Sequence, residues 1–292
     1  MEEPETLPWR ERRVRDAGNF LSPAVRNLAR ERGIDATTLA GRGVQGRVTR
    51  ADVMAAPSGS GWQSPTRDEV VPFNAIRRRT AVALLGSRRA VPHAFAVVAA
   101  DYGAIDAARR TDGLTALPFV ARAVIDALRE FPLMNATMGD DGDSVVVHRA
   151  VHLGIAVDLD FEGLVVPVVH DADGLRLRAL AAAIRDAAGR ARSRTLVPDD
   201  VSGGTFTITN PGAARTWISY PIVNRPQVGI LATDGVSKQV VVDDAGGGGM
   251  RVAPIGHLTC AFDHRALDGA YAGAFLRRVR EIVETRAWER EL

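Results

Sequence analysis

Helix-like and strand-like segments alternate from residue 70 to the C-terminus of this sequence, and this alternation limits the folds that it can adopt. The strand-like segments are rich in β-branched residues, as in SVVVHRAVHLGIAVDL at 144–159. In the helix-like segments, such as 174–194, apolar residues recur every three or four positions. Chains with this order of segments fold as a sheet covered by helices, so we predict a mixed α/β domain.

Three segments with different compositions precede this region. Residues 1–20 are charged and lack a periodic pattern, which predicts a disordered leader. Residues 21–54 contain short helix-like segments and predict a small all-α domain. Residues 55–69 are rich in proline, glycine and serine, which is typical of a flexible linker. The α/β domain then occupies residues 70–292.

The small domain has its own start signals and a glycine-rich turn. Ser22 is a predicted N-cap with Pro23 at the first helical position, and Thr49 is predicted to cap a second short helix. Between them, GRGVQG at 41–46 fits the dinucleotide fingerprint G-x-G-x-x-G, which binds a pyrophosphate only between a strand and a helix. A helix-like segment precedes it here, so we interpret these glycines as a tight turn.

The charge pattern does not favour a nucleic acid or a membrane as partner. The formal net charge is +2, and acidic residues are interspersed among the arginines even though the pI is 9.1. No apolar run approaches the roughly 18 residues of a membrane span, and the N-terminus lacks the apolar segment of a signal peptide. We therefore expect a cytoplasmic protein that binds neither nucleic acid nor membrane.

Cysteine and histidine positions predict no metal centre. Cys260 is the single cysteine, which excludes an intrachain disulfide and a cysteine-rich zinc site. His257, Cys260 and His264 share one strand-like segment, where His257 and Cys260 point to opposite faces. Cys260 is not expected to be a nucleophile, because an apolar strand neither exposes nor activates a thiol.

The segment CAFDHRALDGAYAGAFL at 260–276 carries polar residues where a strand-like segment passes into a helix-like one. His264 is suited to act as a general base near neutral pH. Asp268 can cap the following helix or engage an arginine, and Gly269 allows the backbone to bend. From these residues alone, a helix-capping loop with an incidental histidine is an equally good interpretation.

The sequence DHRALDG resembles the D-H-R-x-x-D-G signature of the 2-oxoacid dehydrogenase acyltransferase family, the dihydrolipoamide acyltransferases. Further segments resemble that family in the same order: IRRRTA (76–81), VPHAF (91–95), FPLMNA (131–136), LGIAVDLDFEGLVVPVVHDAD (153–173), GGTFTITNPG (203–212) and YPIVNRPQVGIL (220–231). Upstream, residues 22–53 resemble the family's peripheral subunit-binding domain. The resemblance implies a chloramphenicol acetyltransferase-like catalytic domain over about 70–292, a mixed sheet with helices, preceded by a small all-α domain.

The resemblance also implies roles for the base and for an oxyanion donor. His264 would take the proton from the attacking thiol or hydroxyl. Thr209, in TITN, stands where the family has a serine, and its hydroxyl would stabilise the tetrahedral oxyanion from the neighbouring subunit. Family members form trimers with active sites between subunits, so a homotrimer or a multiple of trimers is expected. No residue that contacts coenzyme A is identified.

Other residues of the motif are implied to support this site. Asp268 would hold the turn by pairing with an arginine and would not itself accept the proton. Arg77 matches the family position for that arginine, and Arg78 or Arg79 could take its place. Gly269 completes the supporting set.

A lipoyl domain, which the family carries before its binding domain, is not expected on this chain. Only about 20 residues precede the binding domain, and Lys238, the only lysine, lies within the α/β domain. This favours a coenzyme A-dependent enzyme that moves acetyl from acetyl-coenzyme A to a hydroxyl of a small or carrier-protein-bound natural-product intermediate, such as a tetronate.

The alternative function is the acyltransferase core of a 2-oxoacid dehydrogenase complex. It would act on dihydrolipoyl thiols, with the lipoyl domain on another chain, and residues 22–53 would dock a partner protein. A non-catalytic scaffold is a third possibility, which the presence of His264, Asp268 and Thr209 disfavours. Each catalytic reading implies coenzyme A as co-substrate and no metal.

Overall fold

The computed structural model describes residues 21–56, 69–211, 215–243 and 248–292. They belong to two compact units, one that ends at Pro72 and one that spans Phe73–Leu292. Each unit is considered by itself. The predicted leader and most of the predicted linker lie outside the described residues.

The small unit is helical. Its elements are α1 (Pro23–Glu31), 3-10 turns at Ala36–Thr38 and Val44–Gly46, and α2 (Arg50–Ala55). The Ser22 hydroxyl caps α1 by accepting a hydrogen bond from the Val25 amide at 3.3 Å, as predicted. Val25 and Ala29 pack with Val53 in a small apolar core.

The glycines of GRGVQG form the predicted tight turn. A Cβ at Gly41 would lie 2.4 Å from backbone atoms of residues 46–48, and Gly46 has a φ of +76°. The Gly43 amide donates to the Arg47 carbonyl at 3.0 Å, which closes the turn. The glycines thus serve close backbone packing between short helical segments, and no strand precedes them among the described residues from 21 onward.

Asp52 joins this turn to the start of α2. Its carboxylate accepts hydrogen bonds from the Thr49 amide at 2.8 Å and the Thr49 hydroxyl at 2.7 Å, and from Arg42 Nε at 2.8 Å. The predicted cap at Thr49 is therefore confirmed, and Asp52 completes it as a capping box. These hydrogen bonds, first of all the one from the Thr49 backbone, hold the pKa of Asp52 well below its ordinary value.

We expect Asp52→Asn to destabilise the small unit at neutral pH, with a difference from wild type that shrinks as the pH falls below about 4. A carboxyl with a lowered folded-state pKa contributes stability above its unfolded pKa and loses it as the pH falls towards the folded value. Hydrogen-exchange protection of the α1 and α2 amides in the full chain measures this. Glu31→Gln, at an exposed α1 position, is the control. Equal protection of Asp52→Asn and wild type at neutral pH would contradict the expectation.

The large unit alternates helices and strands. Its helices are α3 (Ala75–Ala90), α4 (Gly103–Asp112), α5 (Leu117–Glu130), α6 (Leu177–Arg192) and α7 (Gly269–Thr285). Its strands are β1 (His93–Asp101), β2 (Ala136–Met138), β3 (Val145–Val147), β4 (Leu153–Ile155), β5 (Val157–Asp158), β6 (Leu164–Val165), β7 (Val168–Val169), β8 (Phe206–Thr209), β9 (Gly229–Thr233), β10 (Ser237–Asp243) and β11 (Gly249–Asp263).

Seven of these strands form one mixed sheet in the order β1-β11-β9-β8-β4-β7, and β10 pairs with the first half of β11. Strand β8 runs parallel to both β4 and β9, and the other pairs are antiparallel. The long strand β11 is therefore central, since it pairs with β1, β9 and β10. Its last residues lead directly into the motif that precedes α7.

The core lies between this sheet and helices α5, α6 and α7. Helix α7 packs on β1 and against α5, and α5 also contacts α6. Near the C-terminus, Trp288 is fully buried with its ring 5.3 Å from that of Phe119. The predicted mixed α/β fold with a small helical unit before it is confirmed. None of the described helices is long and apolar enough to cross a membrane.

Candidate active site

His264 lies where the sequence pattern predicts it, between a strand and a helix. Strand β11 ends at Asp263, one residue earlier than expected, and α7 begins at Gly269. The His264 amide donates to the Pro92 carbonyl at 3.1 Å, which ties the residue to the start of β1. Its imidazole is exposed, with the ring 5.7 Å from that of buried Phe262. The backbone is held while the imidazole stays accessible to a substrate.

An ion pair between buried Asp263 and exposed Arg265, next to His264, stabilises the turn. Asp263 is fully buried, and its carboxylate accepts from the Arg265 amide at 3.0 Å and from Arg265 Nη2 at 2.6 Å. The hydrogen bonds to Asp263 raise the pKa of the Arg265 guanidinium. The Asp263 carbonyl also accepts from the Leu267 amide at 3.2 Å. This ion pair was not predicted from the sequence. The signal for it is a carboxylate and a guanidinium two positions apart at the end of a strand.

The predicted pair between Asp268 and Arg77 is not formed within the described part of the chain. Arg77 Nη2 donates instead to the Phe161 carbonyl at 2.7 Å, because the first turn of α3 lies against the loop that contains Phe161. Asp268 is the N-cap residue of α7, but its exposed carboxylate makes no capping hydrogen bond. The arginine that holds this turn is Arg265.

The other residues named for support make no such contact either. Arg78 donates to the Phe73 carbonyl at 2.7 Å, and no ion pair joins Arg79 to Asp268 among the described residues. Gly269 is predicted to let the backbone bend. It is a helical residue without a left-handed φ, and a Cβ on it would meet nothing within 4 Å, so the structure of one chain does not require glycine here.

Thr209 is the last residue of β8 and is half-buried. Its side chain lines a cavity of about 580 Å³ between α3, the β6–β7 region and the loop at 219–225. Among the described residues its hydroxyl has no hydrogen-bond partner. A free hydroxyl on the wall of a cavity is available to a ligand oxygen, as the predicted oxyanion donor requires.

Thr209 and His264 of the same chain lie far apart. In the sheet register, Thr209 is level with Ala232 of β9, and Ala232 is level with Thr259 of β11. His264 follows Thr259 by five residues on a strand two places across the sheet. At about 3.3 Å per residue and 4.8 Å between strands, their Cα atoms are roughly 19 Å apart. A site that uses both residues therefore needs two copies of the chain.

A second cavity, of about 740 Å³, is lined by residues 215–217 and 235–239. Its wall carries two cationic side chains, Arg215 and Lys238, together with the largely exposed indole of Trp217. Trp217 Nε1 donates to His257 Nε2 at 3.2 Å, which orients the ring. Cations beside an aromatic face suit an anionic ligand that carries a flat ring. The sequence patterns did not identify this cavity.

Asp234 holds the loop between the two cavities. It is buried, and its carboxylate accepts from the hydroxyls of Thr216 at 2.7 Å and Ser219 at 2.6 Å and from the Ser219 amide at 3.1 Å. These bonds connect residues from both cavity walls to the end of β9. The walls are therefore preformed where the loop meets the sheet.

Cys260 is buried against Met134, with their sulfur atoms 3.9 Å apart, and burial raises the pKa of its thiol to about 12. The thiol is therefore neither ionised nor accessible, as the strand pattern indicated. In the described ranges, no three His, Cys, Asp or Glu side chains are placed to hold a metal ion.

Comparison with known protein families identifies the larger group to which this fold belongs. A model of the 2-oxoacid dehydrogenases acyltransferase (catalytic domain) matches residues 65–289, which is most of the chain. The chain belongs to this family. A model of the e3 binding domain matches residues 19–54.

Relatives of this 2-oxoacid dehydrogenase acyltransferase include two bacterial complex components. The dihydrolipoyllysine-residue acetyltransferase component of the pyruvate dehydrogenase complex of Mycobacterium bovis is 37% identical over 93% of this chain and 56% of its own length. The lipoamide acyltransferase component of the branched-chain alpha-keto acid dehydrogenase complex of Pseudomonas putida is 36% identical over 91% of this chain and 66% of its own length. The chain thus spans little more than half of the first relative.

A solved structure also matches the acyltransferase unit. Dihydrolipoamide acetyltransferase (E2p) of Azotobacter vinelandii superimposes with a TM-score of 0.70 at 31% identity, covering 74% of this chain and 91% of that one. That structure was determined to investigate the role of a serine, a histidine and an asparagine in its catalytic mechanism.

Family membership confirms the prediction of an acyltransferase. It does not favour transfer of acetyl to a hydroxyl of a natural-product intermediate, the function preferred from the sequence alone. Both relatives are components of 2-oxoacid dehydrogenase complexes. The alternative function is therefore the better supported one.

Proposed function

We propose that this protein transfers an acyl group between coenzyme A and the thiol of a dihydrolipoyl group, as the acyltransferase core of a 2-oxoacid dehydrogenase complex. The observation that carries the proposal is the exposed His264 imidazole on a rigid turn at the end of the central strand of a family-matching fold. In the Azotobacter protein the studied histidine and asparagine are four positions apart. His264 and Asp268 have the same spacing, and Thr209 supplies a hydroxyl as that serine does.

His264 acts first as a base and then as an acid. Its imidazole accepts the proton of the attacking thiol, and the sulfur adds to the thioester carbonyl carbon. The carbonyl electrons move to oxygen and form a tetrahedral oxyanion. When the oxyanion collapses, the bond to the leaving sulfur breaks and His264 returns its proton to that sulfur. Both substrates are thiols or thioesters, so one imidazole serves both directions.

Thr209 of a neighbouring copy donates its hydroxyl hydrogen to the oxyanion. Support for two copies comes from the roughly 19 Å that separates Thr209 and His264 within one chain. A closed trimer brings the β8 end of one copy to the β11 end of the next by a single repeated contact. The acyltransferase is then complete only when assembled.

Asp268 acts as a positioning residue. It is the N-cap residue of α7, four residues after His264, and its carboxylate has no partner among the described residues, so it is available to a group from a neighbouring copy.

Lys238 and Arg215 of the second cavity bind the phosphates of coenzyme A, and Trp217 packs against its adenine ring. The acyl group reaches the site on a lipoyl domain outside residues 21–292.

Residues 21–54 serve to dock a dehydrogenase component of the complex. Support comes from the match of the e3 binding domain model to residues 19–54. The unit has its own apolar core, so α1 and α2 present a preformed surface to a partner. Arg26 and Arg30 are exposed on α1 and give that surface positive charge.

The test supplies the purified chain with acetyl-coenzyme A and either free dihydrolipoamide or a panel of small hydroxyl acceptors. We expect free coenzyme A to be released only when dihydrolipoamide is the acceptor. The released coenzyme A is separated from the acceptor and its thiol is then measured with a thiol reagent. Transfer to hydroxyls but not to dihydrolipoamide would overturn the proposal in favour of O-acetylation. If a correctly assembled protein transferred the acetyl group to neither acceptor, both dihydrolipoyl acylation and O-acetylation would be excluded.

A further inference from the structure

The cavity beside Thr209 has a mostly apolar wall, which also carries Tyr220 and Asn224. Of the other threonine and serine hydroxyls on it, Thr207 donates to Gln227 Oε1 at 2.7 Å and Ser219 donates to Asp234. The charged side chain on its wall, Arg225, is exposed to solvent. Among the described residues, Thr209 thus offers this cavity a free hydroxyl next to aliphatic carbon.

Val223, on the loop wall, is held from both sides. Its amide donates to His93 Nε2 at 3.0 Å, and its carbonyl accepts from the buried Ser87 hydroxyl at 2.6 Å. His93 Nδ1 donates in turn to the Val91 carbonyl at 2.9 Å, so the neutral Nδ1–H tautomer satisfies both contacts. Val223 itself is fully buried. A wall fixed in this way cannot move aside for a larger ligand without the loss of hydrogen bonds.

Gly86 forms the part of the wall that comes from α3. It lies next to Ser87, and a Cβ built on it would meet no atom within 4 Å. A side chain at this position would therefore extend into open space and would not clash with the fold. The absence of a side chain at Gly86 adds depth to the cavity.

The position of Thr209 determines which part of the substrate enters. An oxyanion that accepts a hydrogen bond from Thr209 has its acyl chain attached at the same carbon, which places the chain at the cavity. A volume of about 580 Å³ is in the range that holds whole small-molecule ligands. An acetyl group leaves most of it empty, and a carboxylate would lose its hydration against aliphatic walls.

We propose that this cavity is an acyl-chain pocket, that Gly86 sets its depth, and that the preferred substrates carry uncharged aliphatic acyl groups larger than acetyl, such as isobutyryl or isovaleryl. This inference rests on the proposed transfer between coenzyme A and a dihydrolipoyl thiol. It adds the class of acyl group and the residue that selects it.

The experiment measures kcat/KM for acetyl-, isobutyryl-, isovaleryl- and succinyl-coenzyme A with free dihydrolipoamide as acceptor. In wild type we expect a higher kcat/KM for the branched donors than for acetyl-coenzyme A, and a low one for succinyl-coenzyme A. Gly86→Leu should lower kcat/KM for the branched donors by about 10–200-fold, the range for a changed fit in an apolar pocket, and should leave acetyl within a few-fold.

Gly189→Leu is the matched control. Gly189 is also an interior helix glycine with open space at its Cβ, but it lies on α6 and not on the cavity wall. It should leave all four donors unchanged. Ala83→Leu, a second position on the α3 wall, repeats the test if Gly86→Leu does not assemble.

Other outcomes are decisive against the inference. An equal loss for all donors in Gly86→Leu would show that the cavity holds the dihydrolipoyl arm and not the acyl chain. A wild-type enzyme that uses acetyl alone, or that uses succinyl as well as isobutyryl, would also overturn it. No transfer from any donor would instead overturn the proposed function, so the two failures are distinguishable.

Discussion

Replacing His264 by alanine is expected to lower kcat for acyl transfer by about 10²–10⁴-fold, the usual contribution of a positioned general base. The imidazole is exposed, and its backbone is fixed by the bond to Pro92 and by the neighbouring Asp263–Arg265 pair. Loss of the side chain therefore removes the proton acceptor and leaves the turn in place. Melting temperature and oligomeric state should match those of wild type.

His170→Ala is a suitable control for that experiment. His170 is a second exposed histidine, which contacts the Asp199 carbonyl at 3.2 Å and lines neither cavity. Its replacement should leave kcat within a few-fold of wild type. If His264→Ala kept kcat within the same few-fold range, His264 would not be the base.

Thr209→Val is expected to reduce kcat by about 10²–10³-fold with little change in KM for the acyl donor. Valine has nearly the shape of threonine but lacks the hydroxyl, so the change removes a hydrogen bond that forms only with the oxyanion. Thr285→Val serves as a control for loss of a hydroxyl, since Thr285 donates to the Glu281 carbonyl within α7 and lines neither cavity. A rise in KM without a fall in kcat would show instead that Thr209 binds the ground state.

Mixing the two inactive variants tests the shared site directly. A site is intact when its His264 comes from a Thr209→Val chain and its Thr209 comes from a His264→Ala chain. Random co-assembly of equal amounts should restore about one quarter of the sites, because each requirement is met half of the time. Separately assembled variants that are then combined without exchange provide the baseline. No recovery after co-assembly would place both residues in one chain's site, against the register of β8 and β11.

Local patterns predicted those features whose causes lie within a few residues. The caps at Ser22 and Thr49, the glycine turn at 41–46 and the histidine between β11 and α7 were all predicted from spacing, and the structure contains them. Strand β10 was not predicted. It pairs with β11 alone, and Val240 and Val242 on it are exposed, so its burial pattern is not that of a core strand.

The partners of the motif residues depended on the tertiary structure. Sequence reasoning paired Asp268 with Arg77, whereas the structure pairs buried Asp263 with Arg265 and uses Arg77 to hold the Phe161 loop. Which carboxylate binds an arginine depends on which one is desolvated, and burial of a strand end is set by the elements packed around it.

The sequence by itself determined the family, the order of the main elements and the place of His264 between a strand and a helix, because each of these is encoded in residue type and spacing along the chain. Only the tertiary structure decided that Thr209 lies at the opposite end of the sheet from His264, and that Gly86 and Thr209 line one cavity. Both facts follow from strand order and direction and from the packing of α3 near the sheet. These are long-range relations, which hydrophobic periodicity does not record.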